Sequence, residues 1–323
     1  MRNQVTDIDV YAVRYSAQLS SSVCIIEAMG NRDSVSEVFR VYGFKSYFRN
    51  CDAILVSDRI DPIVLDTAKK LSLRLFSLNR LRELSANNAK WVGKRKSFVP
   101  ISVEDGMKVL TFLGTIKALD AQLYWSYHYL WLENNPYLKL VRLHDLSERC
   151  AGFLNAAHQS ESTATEWYLK ELMLLSLLSC VEIAGECIDL PLTELEAYLV
   201  DKFYNLGTSR ESKMKIKGSI QALVDIIGEL SHGGISAPPV EIVPSYLTDL
   251  TQTVKFLIRN APFVQSYILL NEAVYRNHLC GRSTNIRQIA SSAVQQESVV
   301  QLNAMLLKVL YGSSTPPAFN DFV

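Results

Sequence analysis

Hydrophobic periodicity changes once along this chain, near residue 90, and that change limits the folds open to it. Up to about residue 85, short apolar-alternating runs take turns with helix signals; beyond about residue 100, apolar positions recur at helical spacing almost throughout. Alternating strand and helix signals prescribe a sheet with crossover helices, and unbroken helical spacing prescribes helices packed on helices. The chain therefore reads as α+β, with a mixed β-sheet domain and flanking helices followed by a larger all-α domain.

The first part can be read element by element. Residues 9–15 and 23–27 form a strand pair joined by the polar turn 16–22. Ser34-Val35-Ser36-Glu37 is a capping box, with a hydroxyl at the N-cap and a carboxylate three residues later, and it opens a helix to about Phe48. Residues 53–57 form an apolar strand of the kind buried mid-sheet. Asp61-Pro62 starts a second helix to about Leu71, because the Asp side chain satisfies orphan amides and Pro pre-sets the first helical φ. Residues 74–78 supply a last strand, so the order is ββαβαβ.

The basic segment Lys90-Trp91-Val92-Gly93-Lys94-Arg95-Lys96 marks the boundary and reads as a solvated linker ahead of a nucleic-acid strip. The domains expected are thus 1–88, a basic linker 89–101, and a helical interaction domain 102–323. Helices are expected over about 103–132, 137–157, 164–186, 191–204, 212–230, 244–259, 262–279 and 284–310, separated by Pro, Gly and Asn breakers.

Charge divides along the same line. Lys+Arg and Asp+Glu both number 33, yet residues 1–100 hold 16 against 10, a net of +6, and residues 101–323 hold 17 against 23, a net of −6. A basic first half suits a polyanion, or docking of the oppositely charged halves. The six cysteines are scattered without a C-x-x-C and read as buried thiols in a reducing compartment. The five histidines show no zinc spacing. The N-terminus lacks a signal-peptide apolar run, and the longest apolar segment, 172–181, is too short to span a bilayer, so a cytoplasmic protein without membrane association is expected.

Carboxylates mark the first strand pair. Asp7-Ile8-Asp9-Val10-Tyr11-Ala12 is followed by Ile25-Ile26-Glu27-Ala28-Met29-Gly30 and then by helix, strand, helix and strand. In that order these pieces resemble the restriction-endonuclease-like PD-(D/E)xK nuclease superfamily, over roughly the first quarter of the chain. The resemblance implies that Asp9 and Glu27, with the Ala28 carbonyl and with Asp7 beside them, would ligate Mg²⁺ or Mn²⁺, hard cations that suit oxygen ligands. It also implies a lysine where this chain has Met29, whose thioether neither carries charge nor donates a proton. Arg40 or Lys45 from the following helix, or Arg32 from the loop, could supply the missing cation.

Two functions stay open on these residues. One is a metal-dependent, nucleic-acid-directed nuclease of a restriction, repair or antiviral defence system, acting on DNA in preference to RNA through residues 1–100. The other is a catalytically inactive pseudo-nuclease, a structural, sensor or assembly subunit working through its helical domain.

The helical half carries no phosphate loop, dinucleotide fingerprint or nucleophile elbow. Its aromatic run Tyr124 to Trp131 reads as core ahead of a base-stacking platform, and Ser212 to Lys217 as a solvated basic face. Association with a partner protein or with itself is expected. The candidate face is the stripe Phe263, Tyr267, Leu270, Val274 and Leu279, which could equally pack inside the domain.

Overall fold

A computed structural model describes residues 10–29, 35–48, 51–57, 61–83, 103–154, 159–206, 244–282, 285–290, 292–312, 319 and 322. The chain divides into two compact units, Met1–Pro100 with Ala261–Leu269, and Ile101–Asn260 with Leu270–Val323. Residues 89–101 and the helix expected over 212–230 lie outside the described residues.

The first unit runs β1 (Val10–Tyr15), β2 (Ser21–Ala28), α1 (Val35–Tyr47), β3 (Cys51–Ser57), α2 (Pro62–Lys70) and β4 (Arg74–Ser77). The strands form one mixed sheet in the order β1-β2-β3-β4, with β1 antiparallel to β2 and the other two pairs parallel. This is the ββαβαβ order read from the sequence. Several boundaries differ, and β3, for one, begins at Cys51 and not at residue 53. β2 begins at Ser21 because the turn is tight: the Ser16 hydroxyl accepts from the amides of Gln18 (3.1 Å) and Ser20 (3.2 Å). β4 ends at Ser77, and residues 78–83 are helical.

Helix α2 starts as the sequence prescribes, with Asp61 accepting from the Ile63 amide at 2.7 Å and Pro62 in the first turn. It stops in a paired turn in which Leu73 N–H reaches the Ala68 carbonyl (2.9 Å) and Ser72 N–H the Lys69 carbonyl (3.0 Å). That turn holds Ser72 at φ 55°, where a glycine is usual. Ser34, the other expected N-cap, lies outside the described residues.

Register fixes which side chains face inward. Val23 pairs with Cys51, Ile25 with Ala53 and Glu27 with Leu55 across the β2–β3 ladder, and all six are buried. Val38 and Val41 of α1 and Val64 and Ala68 of α2 are buried as well, and α1 packs on β3 and α2 on β4. Glu27 therefore belongs to an otherwise apolar row.

The second unit is helical: α3 (Val103–Leu119), α4 (Ala121–Leu132), α5 (Pro136–Leu154), α6 (Gln159–Glu186), α7 (Leu195–Tyr204), α8 (Leu247–Arg259), α9 (Val264–Leu279, its first residues in the first unit), α10 (Ile286–Ile289) and α11 (Ala293–Tyr311). Two helices read as continuous are interrupted. Asp120 N-caps α4 by accepting from the Gln122 amide at 2.8 Å, so 103–132 is two helices. Ser292 accepts from the Gln295 amide at 3.2 Å and starts α11 afresh after the short α10. Gly281, at φ 71°, ends α9 with the same paired turn as α2, Arg282 N–H reaching the Asn277 carbonyl at 2.8 Å.

The 28-residue α6 is the axis of this unit and packs on α3, α5, α8 and α11. Between Trp167 and Val181 every residue is buried except Leu174 and Leu178, which are half-buried. A stretch with apolar residues on every side has to lie inside, and Lys170 and Glu171 are buried along with them. Its serines Ser176 and Ser179 are fully buried, and each returns its hydroxyl to the carbonyl four residues back at 2.8 Å. No helix among the described residues is long and apolar enough to cross a membrane.

All six cysteines are free; Cys51, Cys150, Cys180 and Cys187 are buried, and Cys24 and Cys280 half-buried. Burial pushes the thiols of Cys150 and Cys180 up to about 12 and that of Cys187 up to about 11. Iodoacetamide at pH 8 should accordingly leave these three unmodified in the folded protein and label them only after denaturation. Mass spectrometry of native and denatured digests checks this, and native labelling of Cys180 would contradict its burial.

Candidate functional site

The candidate site begins on β2. Glu27 lies on the face that carries Ile25 and Leu55 and is 5% exposed, while the next residue, Ala28, is exposed. Alternation then returns Met29 to the buried side; it is 8% exposed, and its amide donates to the Val56 carbonyl at 2.8 Å. The position at which the resemblance would put a lysine is thus filled by a core thioether tied to β3.

A carboxylate on an apolar row needs a partner, and α1 provides it. Arg40, on the second turn of α1, places its guanidinium on the Glu27 carboxylate. The same nitrogen pairs with Glu37 one turn earlier at 2.7 Å. Arg40 thus joins a buried carboxylate to a half-buried one, and its Nε is buried with no hydrogen-bond partner among the described residues. Of the three cations named from the sequence, the structure brings Arg40 to Glu27. Lys45 goes elsewhere: its ammonium donates to the Ser72 carbonyl at 2.7 Å, at the C-terminal end of α2, where cations are favoured. The five-residue step from Arg40 turns it to another side of α1. Arg32 lies outside the described residues.

Asp7 and Asp9 also lie outside the described residues, so Glu27 and Ala28 are the described members of the expected metal set. Among the described residues no group of three His, Cys, Asp or Glu side chains is placed to hold a metal ion. Glu27 as described does not offer a free ligand, because a cation would compete with Arg40 for it. Glu37 is the participant that sequence reading missed; its signal was the i,i+3 spacing to Arg40 on a helix.

The other expected sites resolve differently. In the aromatic run, Leu130 is fully buried and Tyr127 is largely enclosed, while Trp125 and Tyr129 stand about half exposed on α4 (each 52%). In α9 the expected association stripe is internal: Tyr267, Leu270, Val274 and Leu279 are all buried, and Phe263 alone is exposed, at 58%. Those four side chains are therefore spent on the protein's own packing. The basic run Ser212 to Lys217 lies outside the described residues. Comparison with known protein families, characterised proteins and solved structures returns no match to this chain.

Proposed function

We propose that this protein is a nucleic-acid-directed pseudo-nuclease, a structural, sensor or assembly subunit of a restriction, repair or antiviral defence system. Its sheet domain would be of the restriction-endonuclease-like kind. One observation carries the reading: Glu27 is buried under α1 with the Arg40 guanidinium on its carboxylate, and the motif's lysine position is the buried Met29. The strand and helix order supports the family resemblance, and the basic first hundred residues support a polyanionic partner.

On this reading Glu27 is a structural residue. Glu27→Gln keeps the shape, removes the charge that Arg40 neutralises, and should cost about 1–3 kcal/mol of stability. Full-length protein with Mn²⁺ should cleave DNA and RNA no faster than Glu27→Gln does. DNA binding should weaken steeply with salt. Metal-dependent cleavage by the wild type that Glu27→Gln abolishes would overturn the reading.

The reach of Arg40 to Glu27 favours a second reading, in which Arg40 stands in for the missing lysine of a Mg²⁺- or Mn²⁺-dependent nuclease. Arg40→Ala separates the two. A scaffold loses stability only; a nuclease loses its turnover, and Arg40→Lys restores part of it.

A further inference from the structure

The second unit has a cavity of about 350 Å³ between α4 and α5, on the half of the chain with no catalytic motif. Its floor is Leu130 and Leu146, both buried. One wall is Ser126 and the half-exposed ring of Tyr129, one turn apart on α4; the other is Arg142 and Asp145, one turn apart on α5. Arg142 and Asp145 have the spacing at which opposite charges on a helix usually pair, but Arg142 instead donates to Glu133 at 3.1 Å. Asp145 makes no hydrogen bond or ion pair among the described residues.

The cavity therefore presents an unpaired acceptor, an anchored guanidinium with N–H groups to spare, a hydroxyl of either sense, and an aromatic face over an apolar floor. A simple cation would meet Arg142, and a simple anion would meet Asp145. A flat ring with acceptors on one edge and donors on another meets neither objection. Among nucleobases guanine has that pattern: N1–H and the N2 amino group suit a carboxylate, and O6 and N7 suit a guanidinium. Residues 101–323 carry 17 Lys/Arg against 23 Asp/Glu, a balance that disfavours a phosphate backbone and leaves the base as the part recognised. We infer that this cavity binds the guanine base of a small nucleoside-type ligand, stacked on Tyr129 and read by Asp145 and Arg142. The inference stands apart from the sheet domain and its nuclease-like reading.

Isothermal titration of the full chain with guanosine, adenosine and uridine tests it, the uncharged nucleosides removing any phosphate contribution. Guanosine should bind saturably and at least about fivefold more tightly than the other two. Asp145→Asn and Tyr129→Ala should each weaken guanosine at least about tenfold. Both residues are exposed, so both variants should keep the wild-type melting temperature. Four results would each overturn the inference: no saturable guanosine binding up to millimolar concentration, equal binding of all three nucleosides, guanosine binding unchanged in both variants, or tighter binding of a guanine-containing single strand than of guanosine.

Discussion

Trp167→Ala should destabilise the helical unit more than any other single substitution considered for it, by several kcal/mol. Trp167 is fully buried on α6, its indole N–H donates to the Tyr275 hydroxyl at 2.7 Å, and its ring lies 5.8 Å from that of Phe112 and 5.9 Å from that of Tyr127. Truncation removes the side chain's transfer free energy and leaves a cavity that a helix packed on several neighbours cannot close, a loss of about 3–5 kcal/mol. Against a total stability of roughly 5–15 kcal/mol, that is a large share of what holds the unit together. Trp167→Phe keeps most of the ring volume and should cost about 1–2 kcal/mol. Urea titration of the three proteins measures both steps, and a loss under about 1 kcal/mol for the alanine variant would show that α6 is not the packed axis described.

The second large effect is a dependence on pH centred on Glu171. Burial raises its carboxyl from 4.5 to about 7, against the lowering effect of hydrogen bonds from Tyr275 and Tyr127, and Glu272 adds a smaller raising effect. The Tyr127 hydroxyl lies 3.3 Å from the Glu171 carboxylate. Because the folded state holds this proton more tightly than the unfolded one, the associated stability is complete below about pH 4.5, is lost as pH rises to about 7, and changes little above that. At about 1.4 kcal/mol per unit the loss amounts to a few kcal/mol at most. Glu171→Gln cannot ionise, so it should match the wild type at pH 5 and melt at higher temperature at pH 8. A difference between the two proteins that stays constant from pH 5 to pH 8 would exclude Glu171 as the source.

Local chemistry made the first unit readable. Asp61-Pro62 announces α2, alternation in β2 places Val23 and Ile25 inside, and the apolar run of β3 places Leu55 there. The same alternation put Glu27 inside too, and its partner was findable because Arg40 lies on the helix that crosses that face. What could not be read was the closeness of the pairing, since a spacing in sequence says which groups are near and not whether one is seated on the other. The interruptions at Asp120 and Ser292 were overlooked because apolar spacing continues across both; a lone N-capping residue was the signal. For α9, periodicity gave the apolar stripe and was silent on what covers it. The cavity between α4 and α5 was beyond reach for a related reason. Ser126 and Tyr129 meet Arg142 and Asp145 only because two helices fold back on each other, and no local pattern joins them.

The enclosure of α6 also bears on how this protein can evolve. A surface helix has an outer side on which residues are exchanged almost freely, so lineages lose their resemblance there first. From Trp167 to Val181 α6 has no such side, and each position is held to a narrow range of side-chain volume by neighbours that would have to change with it. Ancestry in this chain should accordingly persist longest in the volumes along that one helix, after the loops, the charges and the sheet's carboxylates have drifted.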